Sequence, residues 1–576
     1  ASLVADAEIP DVVALDPLAG AVAGSEAQGV HERTELILGL LQGWLADPQL
    51  SRARLLLLST GAVAVADGEI PDLAAAAVNG LARSVQAEHP GRIVLIDTDD
   101  SEASRHALYG ALLSDEPQLA LRDGVAHAPR LSHASVEPAA RETTIDPQGT
   151  VLVTGGTGGL GALLARHLAV EHGARNLLLL SRRGPDAPGA EELKRTLEEE
   201  GCDTRILAVD AADREALARA LREIPSERPL TAVIHAAGVR EDGVVTSLDP
   251  PRLHRVLSAK VDAAIHLHEL TEHLALRQFV LISSFAGTLG APGQANYAAA
   301  NSALDALAST RAAQGLPASA LAFGAWAVPT GMTSDLSDAD RARWEQFGIT
   351  PFSGEEGLRA FDAALRTPRS VLVPVRLQAG VLRGLARGGT LPALLRKLAG
   401  PGGRRASQAG GSLARTLAGA DPGTWEAIAI DLVRGHLAAV LGHESQEIDT
   451  ERALKELGLD SLGAVQLRNR LTQATGLQLP VSLIFDHPTT VAIAAYLRSR
   501  VAADATAPPE IDAQVDRLRT LLAPIAADEQ ERERVGALLR GLLEGLAAPV
   551  SSTAEAVQAA EGDELYALLD SQLGTE

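Results

Sequence analysis

A serine and a tyrosine in SSFAGTLGAPGQANYAAAN, residues 283–301, are a pair with an evident chemical use. Reduction of a carbonyl group requires an acid that protonates the developing alkoxide and a donor that holds the oxygen. We predict Tyr297 as the acid and Ser284 as the donor. A free tyrosine has a pKa of about 10, so a nearby cation has to lower this pKa before the phenol is a usable acid at neutral pH.

The predicted cation is Lys260, one of only four lysines in the chain. It lies in PRLHRVLSAKVDAAIHLHEL, an amphipathic segment that we predict as a helix between two apolar strands. A helix at this place is expected to pack beside the helix that carries Tyr297. Position 301, one helical turn after the tyrosine, is asparagine, and Asn301 is the fourth candidate residue of the site.

A second motif, VLVTGGTGGLGALLARHLA at 151–169, has the order strand, glycine-rich turn and helix that binds the phosphates of a dinucleotide. Gly155 permits the tight turn, Gly159 lets the backbone approach the pyrophosphate, and Gly161 allows close packing of the helix. The helix N-terminus offers N–H groups to the phosphate. The predicted nucleotide-binding residues here and at the following strand ends are Thr154, Gly155, Thr157, Gly158, Gly159, Leu160, Gly161, Ser181, Arg182, Arg183, Asp210, Ala236, Ala237 and Gly238.

Two arginines after the next strand indicate which nucleotide binds. An NAD enzyme favours an acidic residue there for the ribose 2′-hydroxyl, whereas Arg182 and Arg183 suit a 2′-phosphate, so the predicted cofactor is NADPH. The alternative is a solvated arginine pair. Asp210 is expected at the adenine edge. The HAAG segment, 235–238, is expected at the nicotinamide ribose, with His235 in a structural role.

A third motif, LGLDSLGAVQLRNRL at 457–471, places Ser461 at the start of a predicted helix, directly after an acidic residue. It resembles the acyl carrier protein motif, in which this serine receives 4′-phosphopantetheine. A helix N-terminus favours the added phosphodiester because the helix dipole attracts anions. The alternative is that Asp460 or Ser461 only caps the helix. The downstream sequence LPVSLIFDHPTTVAIAAYL fits the remaining helices of such a carrier.

Two series of alternating strands and helices position the first two motifs and predict an α/β fold with two Rossmann-like subdomains of the short-chain dehydrogenase type. Residues 1–135 contain no glycine-rich turn after a strand, so no nucleotide is expected there. Helices dominate from residue 423 onward. The predicted units are a cofactor-free structural subdomain at 1–137, a catalytic NADPH-binding subdomain at 138–397, a linker at 398–422, an all-α four-helix carrier domain at 423–500, a linker at 501–509 and a helical tail at 510–576.

The composition excludes several classes of function. The formal net charge of −23 argues against nucleic-acid binding, and no run of about 18 apolar residues is present to span a membrane. The single cysteine, Cys202, excludes an internal disulfide and favours a reducing cytoplasm. His266, His268 and His273 lack the spacing of a metal site, and no metal is predicted. Met332 is the only methionine, so we expect a fragment of a longer polypeptide.

The order of the four candidate residues, lysine before serine, tyrosine and asparagine, resembles the ketoreductase domains of modular type I polyketide synthases. In that family the lysine and the asparagine exchange places relative to ordinary short-chain dehydrogenases. The resemblance spans nearly the whole chain and implies that Tyr297 protonates a β-carbonyl oxygen that Ser284 holds by a hydrogen bond. It also implies that Lys260 lowers the tyrosine pKa and contacts the ribose, and that Asn301 positions Lys260 or a relay water.

The resemblance further implies a stereochemical type. B-type members carry LDD after the HAAG strand, where this chain has Arg240-Glu241-Asp242 and retains only the last residue. A-type members have a tryptophan at the position of Leu289, and epimerising B-type members have a proline two residues after Tyr297, which is alanine here. We expect a non-epimerising B-type reductase that gives a D (3R) hydroxyl, with Asp242, Leu289 and Gln294 as stereocontrol residues.

The implied function is the reduction of a carrier-bound β-ketoacyl thioester to a β-hydroxyacyl thioester during polyketide chain extension. Implied partners are the ketosynthase and acyltransferase domains of the same synthase and a phosphopantetheinyl transferase, within a parent synthase that is a homodimer. The tail at 510–576 resembles a C-terminal docking domain that hands the chain to a downstream synthase subunit. The alternative for the tail is a solvated helical segment.

Two other functions remain open from the sequence. In the first alternative, the chain is a carrier and docking scaffold with an inactive reductase. The altered Arg240-Glu241 pair favours this alternative, and the complete set of four candidate residues opposes it. Alternatively it is an independent dehydrogenase of free metabolites, which Ser461 opposes. Reductase activity on a thioester would exclude the inactive scaffold. Modification of Ser461 with phosphopantetheine would exclude the independent dehydrogenase.

Overall fold

The computed structural model describes residues 10–16, 24–135, 145–327, 344, 345, 347–400, 424–477, 479, 480 and 482–506. The tail at 510–576, with its predicted docking role, and most of the predicted linker at 398–422 lie outside the described residues. Among the residues described, no helix is both long enough and apolar enough to cross a lipid bilayer.

The first of the two Rossmann-like subdomains, called the first half below, forms a five-stranded sheet, and the other subdomain is called the second half. Its strands, in chain order and also in spatial order, are β1 (Val12–Leu15), β2 (Arg54–Thr60), β3 (Ile93–Thr98), β4 (Gln118–Arg122) and β5 (Val125–His127). All pairs are parallel except the last. Its helices are α1 (Glu26–Ala46), α2 (Leu73–Glu88) and α3 (Glu102–Leu112). The central strands are apolar because helices cover both faces of a parallel sheet.

The second half forms a seven-stranded parallel sheet. Its strands in chain order are β6 (Thr150–Thr154), β7 (Asn176–Ser181), β8 (Asp203–Ala208), β9 (Leu230–His235), β10 (Gln278–Ser284), β11 (Ser319–Phe323) and, after the short β12 (Ile349–Thr350), β13 (Val371–Leu372). The spatial order is β8–β7–β6–β9–β10–β11–β13, and β12 pairs antiparallel with β14 (Arg376–Leu377). The order reverses between β6 and β9, and ligands of such sheets bind at the strand carboxyl ends there.

Helices cover both faces of this second sheet. In chain order they are α4 (Gly159–Val170), α5 (Ala190–Glu199), α6 (Arg214–Arg222), α7 (Pro250–Leu257), a π-helical turn (Ser258–Asp262), α8 (Ala263–Thr271), α9 (Phe285–Leu289), α10 (Ala295–Ala313), α11 (Gly354–Leu365) and α12 (Ala379–Arg387). Short 3₁₀ turns lie at Gln49–Arg52, Gly184–Asp186, Val245–Ser247, Ala393–Ala399 and Ser445–Glu447.

The two halves share one hydrophobic core, in which α2 of the first half packs against α10 of the second. The helices approach so closely at Gly80 that a Cβ atom there would lie 2.5 Å from the carbonyl oxygen of Ala298. Arg83 of α2 crosses the interface and donates a hydrogen bond to Gly287 O (2.9 Å). The first half therefore braces the helix that carries Tyr297.

The carrier region is a separate helical core. Its helices are α13 (Trp425–Leu441), α14 (Ser461–Thr475), α15 (Leu483–Asp486) and α16 (Thr490–Thr506). Val433, Leu467 and Leu497 are fully buried in this core. The predicted fold class, two Rossmann-like subdomains followed by a four-helix carrier, is confirmed by these elements. Helix α16 runs to Thr506 and so contains the first residues of the stretch 501–509 that the sequence predicted as a linker.

Candidate active site

The glycine-rich turn between β6 and α4 has the geometry that nucleotide binding requires. Gly155 has φ +65°, which favours glycine, and a Cβ there would lie 2.9 Å from the backbone of Ala237. A Cβ at Gly161 would collide with Gly155 O. Within the described part of the chain no side chain caps the first turn of α4, so its N–H groups face the turn. The turn therefore fits a bound pyrophosphate.

All of the predicted nucleotide-binding residues line one cavity of about 1890 Å³ at the carboxyl ends of the strands. Arg182 and Arg183 are exposed at its rim after β7. Asp210, after β8, accepts a hydrogen bond from Ala212 N (3.1 Å). The lining residues from the prediction are Thr154, Gly155, Thr157, Gly158, Gly159, Leu160, Gly161, Ser181, Arg182, Arg183, Asp210, Ala236, Ala237 and Gly238.

Three of the four candidate chemical residues line the same cavity: Lys260, Ser284 and Tyr297. Ser284 ends β10, and its Oγ accepts a hydrogen bond from Ala286 N at the start of α9 (3.2 Å). Tyr297 lies in the first turn of α10. Asn301 lies one turn behind it and donates to the backbone oxygen of Tyr297 (2.7 Å). The structure thus brings the predicted acid, Tyr297, and the predicted donor, Ser284, to the same cavity.

Lys260 reaches this wall from the π-helical turn, an element that often occurs at functional sites. Its Nζ lies 5.3 Å from the centroid of the Tyr297 ring and donates a hydrogen bond to Ile282 O (2.9 Å). Burial lowers the pKa of Lys260 to about 8, against the opposing charge of Asp305. The ammonium is therefore next to the tyrosine ring and is held by a backbone carbonyl.

The pKa of Tyr297 differs from the expectation that a cation lowers it. Burial raises this pKa and outweighs the hydrogen bonding of Asn301 and Ser284 and the charge of Arg240, which act in the opposite direction. The side chain of Asn301 retains a buried oxygen, Oδ1, for which the described residues supply no hydrogen-bond partner.

His235 has the structural position that the sequence indicated. Its Nδ1 is 2.7 Å from Thr154 Oγ1 and its Nε2 is 3.0 Å from Lys260 O, so the ring joins the nucleotide strand to the lysine turn. The ring is fully buried, and burial, with the Lys260 charge, lowers its pKa to about 3. A neutral imidazole follows. Gly238 leaves room for the lysine, since a Cβ there would lie 3.0 Å from Lys260 Cε.

The three predicted stereocontrol residues surround one side of the cavity. Gln294 Nε2 donates to Asp242 Oδ2 (3.0 Å), and Arg240 Nε lies 3.2 Å from the same oxygen. Leu289 lines the cavity and packs on the cluster that contains Phe285. The residue that replaces the second position of the family's LDD, Glu241, pairs with Arg255 (3.0 Å).

Sequence reasoning missed two residues that the first half sends to the site. Arg83 lines the cavity and holds Gly287 O, as described above. Glu88 is fully buried, and its carboxylate accepts hydrogen bonds from Val245 N (2.8 Å) and Gly293 N (2.9 Å). The available signal was the presence of charged residues on α2, which is otherwise alanine-rich and apolar on its buried face.

A second group outside the cavity was also missed. His167 and His172 each place Nε2 within hydrogen-bond distance of Asp362 Oδ1, at 2.7 and 2.8 Å. It is the one group of potential metal ligands among the residues the structure describes. These two contacts to one carboxylate oxygen join α11 to α4 and to the residues that follow α4. His268, one of the three closely spaced histidines noted in the sequence, is not in this group, and its Nδ1 lies 2.8 Å from Arg311 Nη1.

Ser461 is exposed at the first position of α14. The helix cap is Asp460, whose Oδ1 accepts a hydrogen bond from Gly463 N (2.6 Å). Of the two residues that the sequence left open as the helix cap, Asp460 is the one that caps α14. Leu462, the next residue, lines the same cavity as Tyr297.

Three family models match the chain. A KR domain matches residues 149–328, and a model described as polyketide synthase extender module SpnB, Rossmann fold domain, matches residues 1–131. A phosphopantetheine attachment site matches residues 431–497. The second and third models lie on the structural half and on the helical carrier region, respectively.

The chain is similar to polyketide synthase proteins and to solved ketoreductase structures. The spectinabilin polyketide synthase system protein NorA' of Streptomyces orinoci is 49% identical over 475 residues, which are 82% of this chain and 13% of that protein. The chain thus spans a small part of this relative. A solved structure of an A1-type ketoreductase is 41% identical, with a TM-score of 0.57, over 62% of this chain and 76% of its own. The PlmKR1 ketoreductase from the first module of phoslactomycin biosynthesis in Streptomyces sp. HK803 is 33% identical, with a TM-score of 0.57. The match covers 69% of this chain and 88% of that structure's chain.

Proposed function

The chain belongs to the ketoreductases of modular polyketide synthases, and we propose that it reduces a β-ketoacyl thioester on its own carrier domain to the β-hydroxyacyl thioester. The observation that carries this proposal is the shared cavity. Lys260, Ser284 and Tyr297 line the same space as the glycine-rich turn, and Leu462, the neighbour of Ser461, lines it from the carrier side. Acid, nucleotide loop and carrier thus open on one volume.

The cofactors of the family are NADPH and 4′-phosphopantetheine, and the residues present fit both. NADPH supplies hydride when bound. The turn at Gly155 and the N-terminus of α4 would hold its pyrophosphate, and Arg182 and Arg183 would hold its 2′-phosphate. The exposed Ser461, whose helix is capped by Asp460, leaves its hydroxyl open to a phosphopantetheinyl transferase.

The chain's own residues manage the proton of this reduction. Tyr297 Oη donates its proton to the carbonyl oxygen while the carbonyl carbon is reduced, and Ser284 Oγ donates a hydrogen bond to the same oxygen. The phenolate that remains is stabilised by the Lys260 ammonium, whose Nζ lies 5.3 Å from the ring centroid. Asn301 Oδ1 accepts a hydrogen bond from that ammonium or from a relay water.

The stereochemical proposal rests on the residues of this chain and not on similarity to a relative, since one similar solved structure is an A1-type ketoreductase. Leucine at 289 and alanine two residues after Tyr297 support a non-epimerising B-type outcome, a D (3R) hydroxyl. Asp242, held by Gln294 and Arg240, would orient the acyl chain for that outcome. Chiral analysis of the product formed from a 2-methyl-3-ketoacyl thioester tests this, and an excess of the 3S hydroxyl refutes it.

The surroundings in the parent synthase are part of the proposal. We place the structural subdomain at 1–137, the catalytic subdomain at 138–397, a linker at 398–422, the carrier from 423 to the end of α16 at Thr506, and the docking segment at 510–576. The partners are a ketosynthase and an acyltransferase of the same synthase, a second copy of the chain in the parent homodimer, and a downstream subunit reached through the docking segment. Cytoplasmic location fits the single buried cysteine, Cys202.

The reductase assignment is tested by NADPH oxidation with a β-ketoacyl thioester of N-acetylcysteamine. We expect activity in the wild type and a loss of about 10²–10⁴-fold in Tyr297→Phe, because general acid catalysis contributes that much. Tyr109→Phe is the matched control, since Tyr109 is 73% exposed on α3. Equal rates in Tyr297→Phe and wild type, or no activity in the wild type, defeat the proposal and favour the inactive scaffold.

The carrier assignment is tested by intact mass after incubation with a phosphopantetheinyl transferase and coenzyme A. We expect one phosphopantetheine per chain, lost in Ser461→Ala and kept in Ser499→Ala, a control on α16 whose hydroxyl donates to Tyr496 O. A gain in mass that survives Ser461→Ala would contradict the carrier assignment.

A further inference from the structure

Helix α14 of the carrier lies against the carboxyl end of α2 in the first half of the reductase. The Arg468 guanidinium donates a hydrogen bond from Nη2 to Glu88 O, and its Nη1 lies 3.4 Å from His89 Nδ1. Asn469 Nδ2 donates to Ala87 O (3.3 Å) and Glu88 O (3.1 Å). Arg468 is only 5% exposed, although it lies on a helix of a small carrier domain.

The receiving surface is suited to a guanidinium. The last carbonyl groups of a helix have no partner within the helix and carry the negative end of its dipole. Ala87, Glu88 and His89 are the last residues and the cap of α2. The Arg468 and Asn469 donors therefore satisfy carbonyl groups that the helix itself leaves open.

Below this contact, the carboxylate of Glu88 points the other way, into the reductase. It accepts hydrogen bonds from Val245 N (2.8 Å) and Gly293 N (2.9 Å). Gly293 is followed by Gln294, which occupies the N-cap position of α10, and Tyr297 lies in the first turn of that helix. One residue thus contacts the carrier through its carbonyl group and the segment before the catalytic tyrosine through its carboxylate.

The carrier touches the same segment directly. A Cβ on Gly293 would lie 3.3 Å from Leu462 Cδ2, so the leucine packs on this glycine. The cavity that contains Tyr297 is lined, on the carrier side, by Leu462, Gln466, Asn469, Arg470 and Gln473. These positions form one face of α14, which begins at Ser461. An arm attached to Ser461 therefore starts at the rim of the reductase cavity.

We propose that the carrier docks on the structural half of the reductase through Arg468 and Asn469, and that Glu88 is a positioning residue that couples docking to the segment before Tyr297. The proposal rests on the proposed function and adds the docking surface and its link to the active site. The structural half, which has no nucleotide site of its own, is then the receptor for the carrier as well as a brace.

Charge supports this arrangement. Burial raises the pKa of Glu88 to about 7, while the N–H groups of Gly293 and Val245 and the Arg468 guanidinium oppose the rise. Burial lowers the pKa of Arg468 to about 10, and Glu88 opposes that fall. Each group therefore favours the charged form of the other, and removal of Arg468 leaves Glu88 buried with one fewer compensating charge.

The experiment compares two substrates on the full chain. One is a β-ketoacyl group loaded on Ser461 by a phosphopantetheinyl transferase from its coenzyme A thioester, reduced in a single turnover. The other is the diffusible N-acetylcysteamine thioester. In Arg468→Ala we expect a fall of about tenfold or more with the carrier-bound substrate, because the substitution removes charged hydrogen-bond donors to the end of α2. The rate with the diffusible thioester stays within about twofold.

The control is Arg498→Ala on α16, whose guanidinium pairs with Glu426 within the carrier (3.3 Å). It should change neither rate. Complete loading of Ser461, read by intact mass, establishes that the carrier of each variant is folded, and the diffusible thioester does the same for the reductase. An unchanged carrier-bound rate in Arg468→Ala, or an equal fall with both substrates, overturns the docking surface.

A double-mutant cycle of Arg468→Ala and Glu88→Gln tests the positioning role. If the two residues are coupled, the fold-loss of the carrier-bound rate in the double variant is smaller than the product of the two single fold-losses. We expect the difference to be about fivefold or more, which corresponds to a coupling of about 1 kcal/mol. Additive effects overturn the role of Glu88. Failure of the proposed function is distinguishable, because it removes wild-type activity with the diffusible thioester before any variant is compared.

Discussion

At the carboxyl ends of its strands, the first sheet is closed by charged side chains, whereas the second sheet opens on the cavity described above. Asp97 at the end of β3 accepts hydrogen bonds from Ser59 Oγ (2.9 Å) and Ala62 N (2.7 Å). It also pairs with Arg122 (2.8 Å), which in turn pairs with Glu69 (3.1 Å). At the corresponding edge of the second sheet, glycines and backbone N–H groups line the open space.

The difference shows how one architecture supports two roles. Both halves repeat strand and helix in parallel sheets, but the first half fills its crevice with an ion-pair network and presents α2 to its neighbours. The second half keeps the crevice open and brings Lys260, Ser284 and Tyr297 to it. Function therefore follows from the residues at the strand ends and not from the fold itself.

The largest expected effect comes from opening the network of the first half. Asp97→Ala leaves Arg122 without its buried partner, and we expect the free energy of unfolding to fall by about 3–5 kcal/mol. Asp97 is 2% exposed, which is why the cost is high. Urea unfolding followed by circular dichroism measures it.

The matched control for that change is an exposed pair of the second half. Arg205 and Glu223 lie 2.7 Å apart with side chains 42% and 55% exposed, so Arg205→Ala should change stability by less than about 1 kcal/mol. Equal effects of the two substitutions would mean that the charges of the first half do not close its sheet as described.

A smaller effect is expected where the two halves touch. Gly80→Ala places a methyl group 2.5 Å from Ala298 O, so α2 and α10 must separate. We expect a loss of about 1–3 kcal/mol in stability and a lower reductase rate, since α10 carries Tyr297. Gly43→Ala on α1 is the control, because a Cβ there meets nothing within 4 Å. A full reductase rate in Gly80→Ala would contradict the claim that the packing of α2 on α10 supports the position of Tyr297.

A pH profile sharpens the contrast between a cation of the first half and a cation of the second half. Arg122 is ion-paired, whereas Lys260 donates to a carbonyl and has a pKa that burial lowers to about 8. The ammonium is intact below this pH and loses its proton above it. We therefore expect the rate with the diffusible thioester to fall above about pH 8, approaching tenfold per unit. Lys260→Arg should move the fall to higher pH, and a flat profile up to pH 10 would contradict the role of Lys260.

Local patterns predicted much of this structure. Apolar runs such as RLLLLST and IVLIDT predict strands, and they form β2 and β3. The glycine-rich turn was predictable because its strand, turn and helix are consecutive in the sequence. The order of lysine, serine, tyrosine and asparagine identified the second half as the chemical half. The helix start at Ser461 was likewise a local signal.

The missed features depend on contacts between distant segments. Glu88 meets Gly293 and Arg468, which lie more than two hundred and three hundred and fifty residues away in the chain, and no local spacing encodes such a meeting. The raised pKa of Tyr297 depends on burial, which motif spacing does not report. The π-helical turn around Lys260 reads as ordinary amphipathic helix in the sequence.

The claim that only the second half binds nucleotide is tested most directly by calorimetric titration of the full chain with NADPH. We predict one NADPH bound per chain, lost in Gly161→Ala, where the added methyl group collides with Gly155 O, and kept in Gly43→Ala. Circular dichroism and modification of Ser461 confirm that the variants are folded. Two molecules of NADPH per chain, or undiminished binding in Gly161→Ala, would contradict the account.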